Sequence, residues 1–241
     1  MRKRTWVKRP GRYGWRMSSP SASGQVPQYL DAGSFTTWLG DIDSAINGTK
    51  PADVPCGTCT ACCTSSQFID ISPDEQATLA VIPAAVLFPA PGLPKGHMLM
   101  GYDQNGCCPM FADGGCSIYD NRPRACRAYD CRIFTASSIE PDEDKPLIAQ
   151  QVARWRFQYE HDRDRVNHQS VIAAARFISE HRALLDPALR PVTASQTAVL
   201  ALLISSAFAT GDEDGELKPV TPSLEMVAKA IQACLSQLTT G

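Results

Sequence analysis

The sequence predicts an α+β protein that is mainly helical, in which C-terminal helices support a small, irregular, cysteine-rich core with a short β-hairpin. Nine of the ten cysteines lie between residues 56 and 131, in a stretch that prolines and glycines interrupt. Helical periodicity dominates after residue 135. We therefore expect three parts: a basic, disordered arm over residues 1–33, a cysteine-cluster region over 34–135, and a helical region over 136–241 that packs on it.

The arm is basic, whereas the rest of the chain is acidic. Residues 1–16 hold seven basic residues and no acidic one, and the remainder holds 16 basic against 25 acidic residues, a formal charge of −9. A body this acidic is a poor general nucleic-acid binder. Because glycine, proline and serine interrupt the arm, we predict a disordered tail. Its interleaved aromatic residues leave contact with nucleic acid or an anionic surface as the alternative.

Two short helices are predicted before and after the first cysteines. From residue 35 to 46, apolar residues recur at three- and four-residue steps, as they do in an amphipathic helix. Ser34 is placed to cap the start of this helix and Gly48 to end it. Residues 72–75 form a capping-box sequence, which predicts a second helix that ends near Val81.

The segment between the two cysteine groups is predicted to hold little regular structure. Four prolines within residues 83–96 exclude a helix or strand over most of that range. An Asn105-Gly106 pair then lies between two apolar runs, 98–102 and 108–111. An Asn-Gly pair in this setting predicts a β-hairpin.

Four helices are predicted in the C-terminal part. Residues 146–163 and 166–185 show helical periodicity, and residues 196–209 are apolar on nearly every side. A last helix is predicted to begin at Thr221-Pro222 and to end near residue 238. No apolar stretch has the length of a membrane-spanning helix, so we expect no membrane association.

The cysteines are expected to bind metal rather than to form five disulfides. The basic N-terminus lacks the apolar run of a signal peptide, so we expect a cytoplasmic protein in which thiols stay reduced. Four cysteines lie within residues 56–63, and thiolates two residues apart can converge on one point. Either a zinc ion or an iron–sulfur cluster suits such ligands, because thiolates bind both. The region over 34–135 is thus predicted to bind metal.

Four arginines lie among the cysteines of the second group. Four thiolates on one zinc ion, or on an oxidised four-iron cluster, leave a charge of about −2 that guanidinium groups offset. We expect at least one of Arg122 and Arg127 to lie beside the sulfur atoms. The alternative is that both are surface residues of a turn.

The order of the cysteines is specific. It runs Cys56-x-x-Cys59-x-x-Cys62-Cys63, then Cys108-Pro109, then Cys116-Ser-Ile-Tyr-Asp-Asn-Arg-Pro-x-x-Cys126-Arg-x-Tyr-x-Cys131. Over about residues 50–135 this pattern closely resembles the CxxCxxCC putative zinc- or iron-chelating domain family, the YkgJ-type cysteine-cluster proteins. The resemblance implies metal or iron–sulfur binding in bacterial cytoplasmic proteins, and the relatives include the longer flagellin lysine N-methylases. The metal ligands that it implies are Cys56, Cys59, Cys62, Cys63, Cys108, Cys116, Cys126 and Cys131.

Two cysteines and four histidines receive other interpretations. We interpret Cys234 as a buried core thiol and Cys107 as a spare thiol or an alternative ligand. His97, in the loop before the predicted hairpin, is the histidine placed to approach the cysteines. The other three are expected on charged helix faces, and they are His161, His168 and His181.

Two hypotheses of function follow from these observations. The first is a metal-binding module that acts as an adaptor, carrier or sensor, with a metal ion or cluster as its partner. The second is an iron–sulfur enzyme of redox chemistry or of protein-lysine methyl transfer. Methyl transfer needs a nucleotide-like cofactor site, and the sequence contains no Gly-rich loop between a strand and a helix. We therefore favour the binding hypothesis, for which no catalytic residue or protein partner is predicted.

Overall fold

Helices and several small sheets alternate along the chain, which confirms the mainly helical α+β class. A computed structural model describes residues 28–211 and 216–240, so most of the predicted arm lies outside the described residues. In chain order the elements are β1 (Leu30–Ser34), α1 (Phe35–Ile46), β2 (Ile69–Ile71), α2 (Gln76–Val81), β3 (Leu87–Pro89), β4 (Met98–Met100), β5 (Phe111–Ala112), β6 (Gly115–Cys116), α3 (Arg124–Ala128), α4 (Arg132–Ser137), α5 (Pro146–Val152), β7 (Trp155–Gln158), α6 (Asp162–His181), α7 (Ala194–Ile204), β8 (Ala209–Gly211), β9 (Leu217–Pro219) and α8 (Leu224–Thr240).

The main hydrophobic core joins helices from both ends of the described chain. Helix α1 buries one face, whose residues are spaced by three or four: Phe35, Trp38, Ile42 and Ala45. These residues share one cluster with Phe134 of α4, Val171 of α6 and Ala198 of α7. A second cluster packs α6 and α7 against α8. The helix that precedes the cysteines thus packs in the same core as the C-terminal helices.

Helix α1 has the predicted limits, but its start is capped differently from the prediction. Gly48 has a φ of +73° and donates its N–H to the carbonyl of Ala45 at 3.1 Å, which ends the helix as expected. The side chain of Ser34 accepts no hydrogen bond from the helix. The carboxylate of Asp164, at the start of α6, accepts the N–H of Thr36 at 3.0 Å instead. The carboxylate of Asp164 on α6 thus takes the capping role that was predicted for the hydroxyl of Ser34.

The predicted helix over residues 146–163 is wrong beyond residue 152. Helix α5 ends there, and β7 pairs in parallel with β1, so that Leu30 lies opposite Trp155. The ring of Trp155 is fully buried by this pairing. Residues 30–33, predicted as the end of the arm, therefore belong to a strand. Pairing with β1 determines the structure of residues 155–158, although their local sequence periodicity predicts a helix.

The later helices match the prediction more closely. Helix α6 begins four residues before the predicted 166 and gives way to a 3₁₀ turn after His181. Helix α7 ends at Ile204, and a 3₁₀ turn continues to Phe208. Helix α8 begins three residues later than predicted. None of the described helices combines the length and apolarity that crossing a membrane requires.

The hairpin predicted around Asn105-Gly106 does not form. Strand β4 pairs with β2 and β3 in an antiparallel sheet, and the following turn folds around Asp103. The carboxylate of Asp103 accepts the N–H groups of Asn105 and Cys107, both at 2.8 Å. These bonds replace the strand ladder that a hairpin needs. The observed hairpin is eight residues further on, where β5 pairs with β6.

Two other local predictions hold in part. In the proline-rich segment, β3 forms at the edge of the sheet, where Pro89 needs no partner for its missing N–H. In the capping box, the carboxylate of Glu75 accepts the N–H of Ser72 at 3.1 Å. The helix nevertheless begins only at Gln76.

Asp164 connects α1 with α6 through a buried carboxylate. Its Oδ2 accepts the N–H groups of Glu160 and His161, both at 2.9 Å, and the residue is only 2% exposed. A hydrogen bond from the Thr36 side chain, followed by bonds from the backbone N–H groups, lowers the pKa of Asp164 to about 2. Because this pKa lies below the ordinary value of 3.8, the stabilisation is present above that value and is lost as the pH falls through about 2.

We predict that Asp164→Ala lowers the free energy of unfolding at pH 7 by on the order of 2 kcal/mol, because it leaves several backbone donors without an acceptor. The loss should shrink between pH 4 and pH 2 when urea unfolding is followed by circular dichroism. Asp162→Ala is the matched control, since Asp162 is an exposed carboxylate in the same helical turn. Equal losses for the two variants would contradict the role given to Asp164.

Candidate metal centre

The first four cysteines lie on a loop that turns twice between α1 and β2. Gly57 has a φ of +57°, and the N–H of Cys59 bonds to the carbonyl of Cys56 at 3.0 Å, which closes the first turn. Cys62 and Cys63 follow on a 3₁₀ turn over Ala61–Thr64. Adjacent positions on such a turn point their side chains in different directions. The loop therefore presents its four thiols on more than one side.

The second group joins the first through a backbone hydrogen bond. The N–H of Cys108 donates to the carbonyl of Cys63 at 2.7 Å. Cys116 lies in β6, Cys126 lies in α3, and Cys131 directly precedes α4. All ten cysteines are free thiols. Short elements from four parts of the chain thus bring the predicted ligands into one region.

The thiols fall into two neighbourhoods, each defined by the cysteines whose charges shift one another's pKa. Burial raises the pKa of Cys56 to about 11, and negative charge on Cys62 and Cys59 raises it further. Burial likewise raises the pKa of Cys131 to about 12, and Cys56 and Cys59 are again among the charges that add to it. Cys56, Cys59 and Cys131 are therefore within electrostatic range of one another, and Cys62 is within range of Cys56.

The other neighbourhood surrounds Cys126. Burial raises the pKa of its thiol to about 12, and the nearby charges that raise it further are those of Cys108, Cys62 and Cys116. A hydrogen bond to Cys62, followed by burial, strongly raises the pKa of Cys63, to which Cys108 and Cys116 also contribute. Cys62 is thus within electrostatic range of both neighbourhoods. The pKa of Cys63 is raised by Cys62 and by two cysteines of the second group, Cys108 and Cys116.

Cys62 differs from the other thiols in its acidity. The hydrogen bond that it shares with Cys63 lowers the pKa of Cys62 to about 7, with smaller contributions from backbone N–H groups and from Arg122. This lower pKa favours the thiolate of Cys62, and the thiolate is the form that binds metals. Arg122 also lowers the pKa of Cys126, so one of the two expected arginines does lie near the sulfur atoms.

Arg127 and Glu75 hold the helix that carries Cys126. Arg127 donates to the carbonyl of Arg122 at 2.7 Å and lies 3.7 Å from the carboxylate of Glu75. The same carboxylate accepts the N–H of Arg124, the first residue of α3, at 2.5 Å. Glu75 was predicted only as a cap for α2. The structure shows that it also caps α3, across 49 residues of chain.

A buried ion pair that the sequence did not reveal lies next to Cys131. Asp130 is 2% exposed, and its carboxylate lies 2.7 Å from the guanidinium of Arg132. The same carboxylate accepts the indole N–H of Trp38 in α1 at 2.8 Å. The indole N–H of Trp155 in turn donates to the sulfur of Cys131 at 3.3 Å. The alternation of an acid, a cysteine and a base over residues 130–132 was the signal available for this pair.

Within residues 28–211 and 216–240, no three His, Cys, Asp or Glu side chains are arranged so that they could hold a metal ion as they stand. The chemistry of the donors nevertheless fits a thiolate-bound zinc ion or iron–sulfur cluster. Eight thiols lie in two neighbourhoods, and tryptophan and arginine donors lie beside them. The set of eight ligands therefore remains a prediction.

Tyr129 provides a second test of whether this region fits a thiolate-bound metal. Its hydroxyl is buried and has no hydrogen-bond partner among the described residues. Burial, and then the charges of Cys131 and Cys62, raise the pKa of this phenol, so it remains a donor. A buried donor without an acceptor is costly, and a metal-bound thiolate is a strong acceptor at this position.

The histidines and Cys234 make other contacts, whereas negative charge on Cys107 is among the influences that raise the pKa of Cys108. His97 pairs with Asp70 at 3.2 Å on the three-stranded sheet. The prediction that His168 lies on a charged face is wrong, because its ring stacks on Phe35 at 4.3 Å. Cys234 is partly buried against the second helical core, in agreement with its interpretation as a core thiol. The alternative interpretations of Cys107 stay open.

We predict opposite effects of Tyr129→Phe in the two metal states. Without metal, the variant should be at least as stable as the wild type, because it loses an unpaired buried hydroxyl. With zinc bound, its affinity should fall about tenfold, since a donor to the ligand sulfur is lost. Chelator competition and urea unfolding measure the two effects. Tyr119→Phe, at an exposed ring, is the control, and an unchanged zinc affinity in Tyr129→Phe would contradict this role.

Comparison with known proteins identifies the cysteine-containing part of the chain. The family model CxxCxxCC, described as a putative zinc- or iron-chelating domain, matches residues 55–152. No curated protein and no solved structure matches the chain. The matched range extends beyond the predicted 50–135 and includes α4 and α5, the latter of which packs on the 3₁₀ turn of Cys62. Residues 55–152 of this chain therefore match the CxxCxxCC family model, in agreement with the resemblance seen in the order of the cysteines.

Proposed function

We propose that residues 55–152, which match the CxxCxxCC model, bind zinc or an iron–sulfur cluster through eight of their nine thiols and serve as a metal-binding carrier or sensor. The observation that carries this proposal is the division of the thiols into two neighbourhoods. Cys62 lies within range of both, and we place it in the first set so that each set holds four thiolates. One ligand set is then Cys56, Cys59, Cys62 and Cys131, and the other is Cys63, Cys108, Cys116 and Cys126. Four thiolates complete a zinc site, and they equally complete the ligation of one iron–sulfur cluster.

The surroundings of the thiols support this division. In the first set, Cys131 receives the indole N–H of Trp155, and the buried hydroxyl of Tyr129 lies close by. In the second set, Arg122 offsets negative charge near Cys126. A metal bound by four thiolates needs such donors and cations, because the complex retains a negative charge.

An exchangeable metal is favoured over a purely structural one. The turn that carries Cys56 and Cys59 borders a cleft of about 470 Å³. A structural zinc site is normally closed by its ligands, whereas a carrier or a sensor must admit and release its metal. Access from solvent to two of the predicted ligands therefore supports a carrier or sensor role.

We predict that protein purified without oxygen contains about two metal centres per chain, detected by elemental analysis and by absorption near 400 nm if iron is bound. Cys131→Ser and Cys126→Ser should each remove about half of the metal, because each affects one ligand set. Cys234→Ser should retain all of it, since this thiol lies in a helical core. Metal-free protein would refute the proposed function, and complete loss from either single variant would refute two separate centres.

Removing the metal should loosen the cysteine segment more than the helical body. The three-stranded sheet has a core of only four buried residues, which are Ile71, Ile82, Met100 and Met110. We expect hydrogen exchange across residues 56–131 to accelerate by at least about tenfold after chelation in reducing buffer, because metal binding contributes to folding there. Protection in α6 and α7 serves as the internal control. Unchanged exchange across 56–131 would show that the segment is stable without metal.

A further inference from the structure

A cleft separates the first cysteine turn from helix α5. It is open to solvent, and its volume is about 470 Å³. Cys56, Thr58 and Cys59 line one side, and Gln151 and Arg154 line the other. Two predicted metal ligands therefore border the cleft.

The polar groups around this cleft favour an anion. Arg154 is the one charged residue among those that line it, and none of them is an acid. This is unusual for a chain with 25 acidic residues and a formal charge of −9 beyond residue 16. Threonine hydroxyls and glutamine amides supply the remaining polar atoms. The lining thus offers one positive charge and several donors, without an opposing carboxylate.

Gln151 contributes a donor that has no acceptor in the protein. The residue is 5% exposed, and its Nε2 has no hydrogen-bond partner among the described residues. Its Oε1 accepts Nη1 of Arg154 at 3.0 Å, which fixes the orientation of the amide. A buried unpaired amide donor is unfavourable. The atom itself is out of contact with solvent, so an acceptor in the cleft stabilises it after a small shift of the Gln151 side chain.

Arg154 is held in place beside this amide. Its Nε donates to the carbonyl of Gln28 at 3.2 Å, in addition to the bond from Nη1 to Gln151. These two bonds leave Nη2 for another acceptor. A guanidinium that is already ordered loses little entropy when it binds, and its planar donors match the oxygen atoms of a carboxylate or a phosphate.

We propose that this cleft binds a small molecule that carries an oxyanion, either a carboxylate or a phosphate group. Arg154 and Gln151 hold the oxyanion, and the rest of the molecule lies against the turn of Cys56 and Cys59. The role of this site rests on the proposed function, in which these cysteines bind metal. A small carboxylate chelator that carries zinc or iron is then the class of metal donor that the cleft admits.

The test is isothermal titration of the full chain with citrate and, separately, with inorganic phosphate, in the reduced metal-free and zinc-loaded states. We expect saturable binding of one equivalent, weakened about tenfold or more by Arg154→Gln, because a charged hydrogen bond is lost. Arg156→Gln is the matched control. Arg156 follows closely in the chain but stacks on Tyr29 at 4.1 Å and does not line the cleft.

A second variant keeps the polar groups intact. Leu147 is exposed at the cleft, and Leu147→Trp narrows it without changing the bonds of Arg154. This variant should weaken citrate binding while the melting temperature stays near that of the wild type. Binding of citrate alone would identify a carboxylate site, and binding of phosphate alone a phosphate site.

Failure of this inference is distinguishable from failure of the proposed function. Absence of binding for both anions would overturn the inference, as would equal binding by the wild type and both cleft variants. Metal content is measured independently, so anion binding by a protein that takes up no metal would refute the proposed function and leave the anion site standing.

Discussion

A single buried carboxylate, that of Asp130, connects the cysteine segment to the helical body. It accepts the indole N–H of Trp38 from α1 and pairs with Arg132, whose other donors reach the carbonyls of Ala32 and Asp53. A buried charge is tolerated only when its partners are in place, so these contacts depend on one another. The position of the adjacent Cys131 is therefore set by a helix that precedes all the cysteines.

Polar contacts between distant residues also hold the cysteine segment, residues 56–131, in place. They replace part of the hydrophobic burial that its small apolar core lacks. Glu75 caps the helix of Cys126, and the backbone of Cys108 bonds to that of Cys63. Such contacts place thiols from short elements within electrostatic range of one another. Their mutual repulsion, when ionised, is what a bound cation relieves, which is why metal binding and folding are expected to be linked here.

Sequence periodicity predicted the helices better than the strands. Helix α1 was predicted with its observed limits, because burial at every third or fourth residue is a local property. Strand β7 was missed, although its Trp-Arg-Phe-Gln sequence alternates apolar and polar residues, since it is four residues long and its partner β1 lies more than 120 residues away. At Asn105-Gly106 the hairpin signal was present, but Asp103 closes the turn through its carboxylate and its backbone, and no strand pairing among the described residues extends from it.

The sequence by itself determined the chemistry of the candidate site: the number of thiols, their spacing, the nearby arginines and the resemblance to a chelating family. It also determined most of the helices that support the site, because side-chain spacing along a helix is encoded locally. Only the tertiary structure decided which thiols are neighbours, that Asp130 and Tyr129 are buried beside them, and that Gln151 and Arg154 face the first cysteine turn across a cleft. Burial and electrostatic interaction depend on residues far apart in the chain, and no local pattern records them.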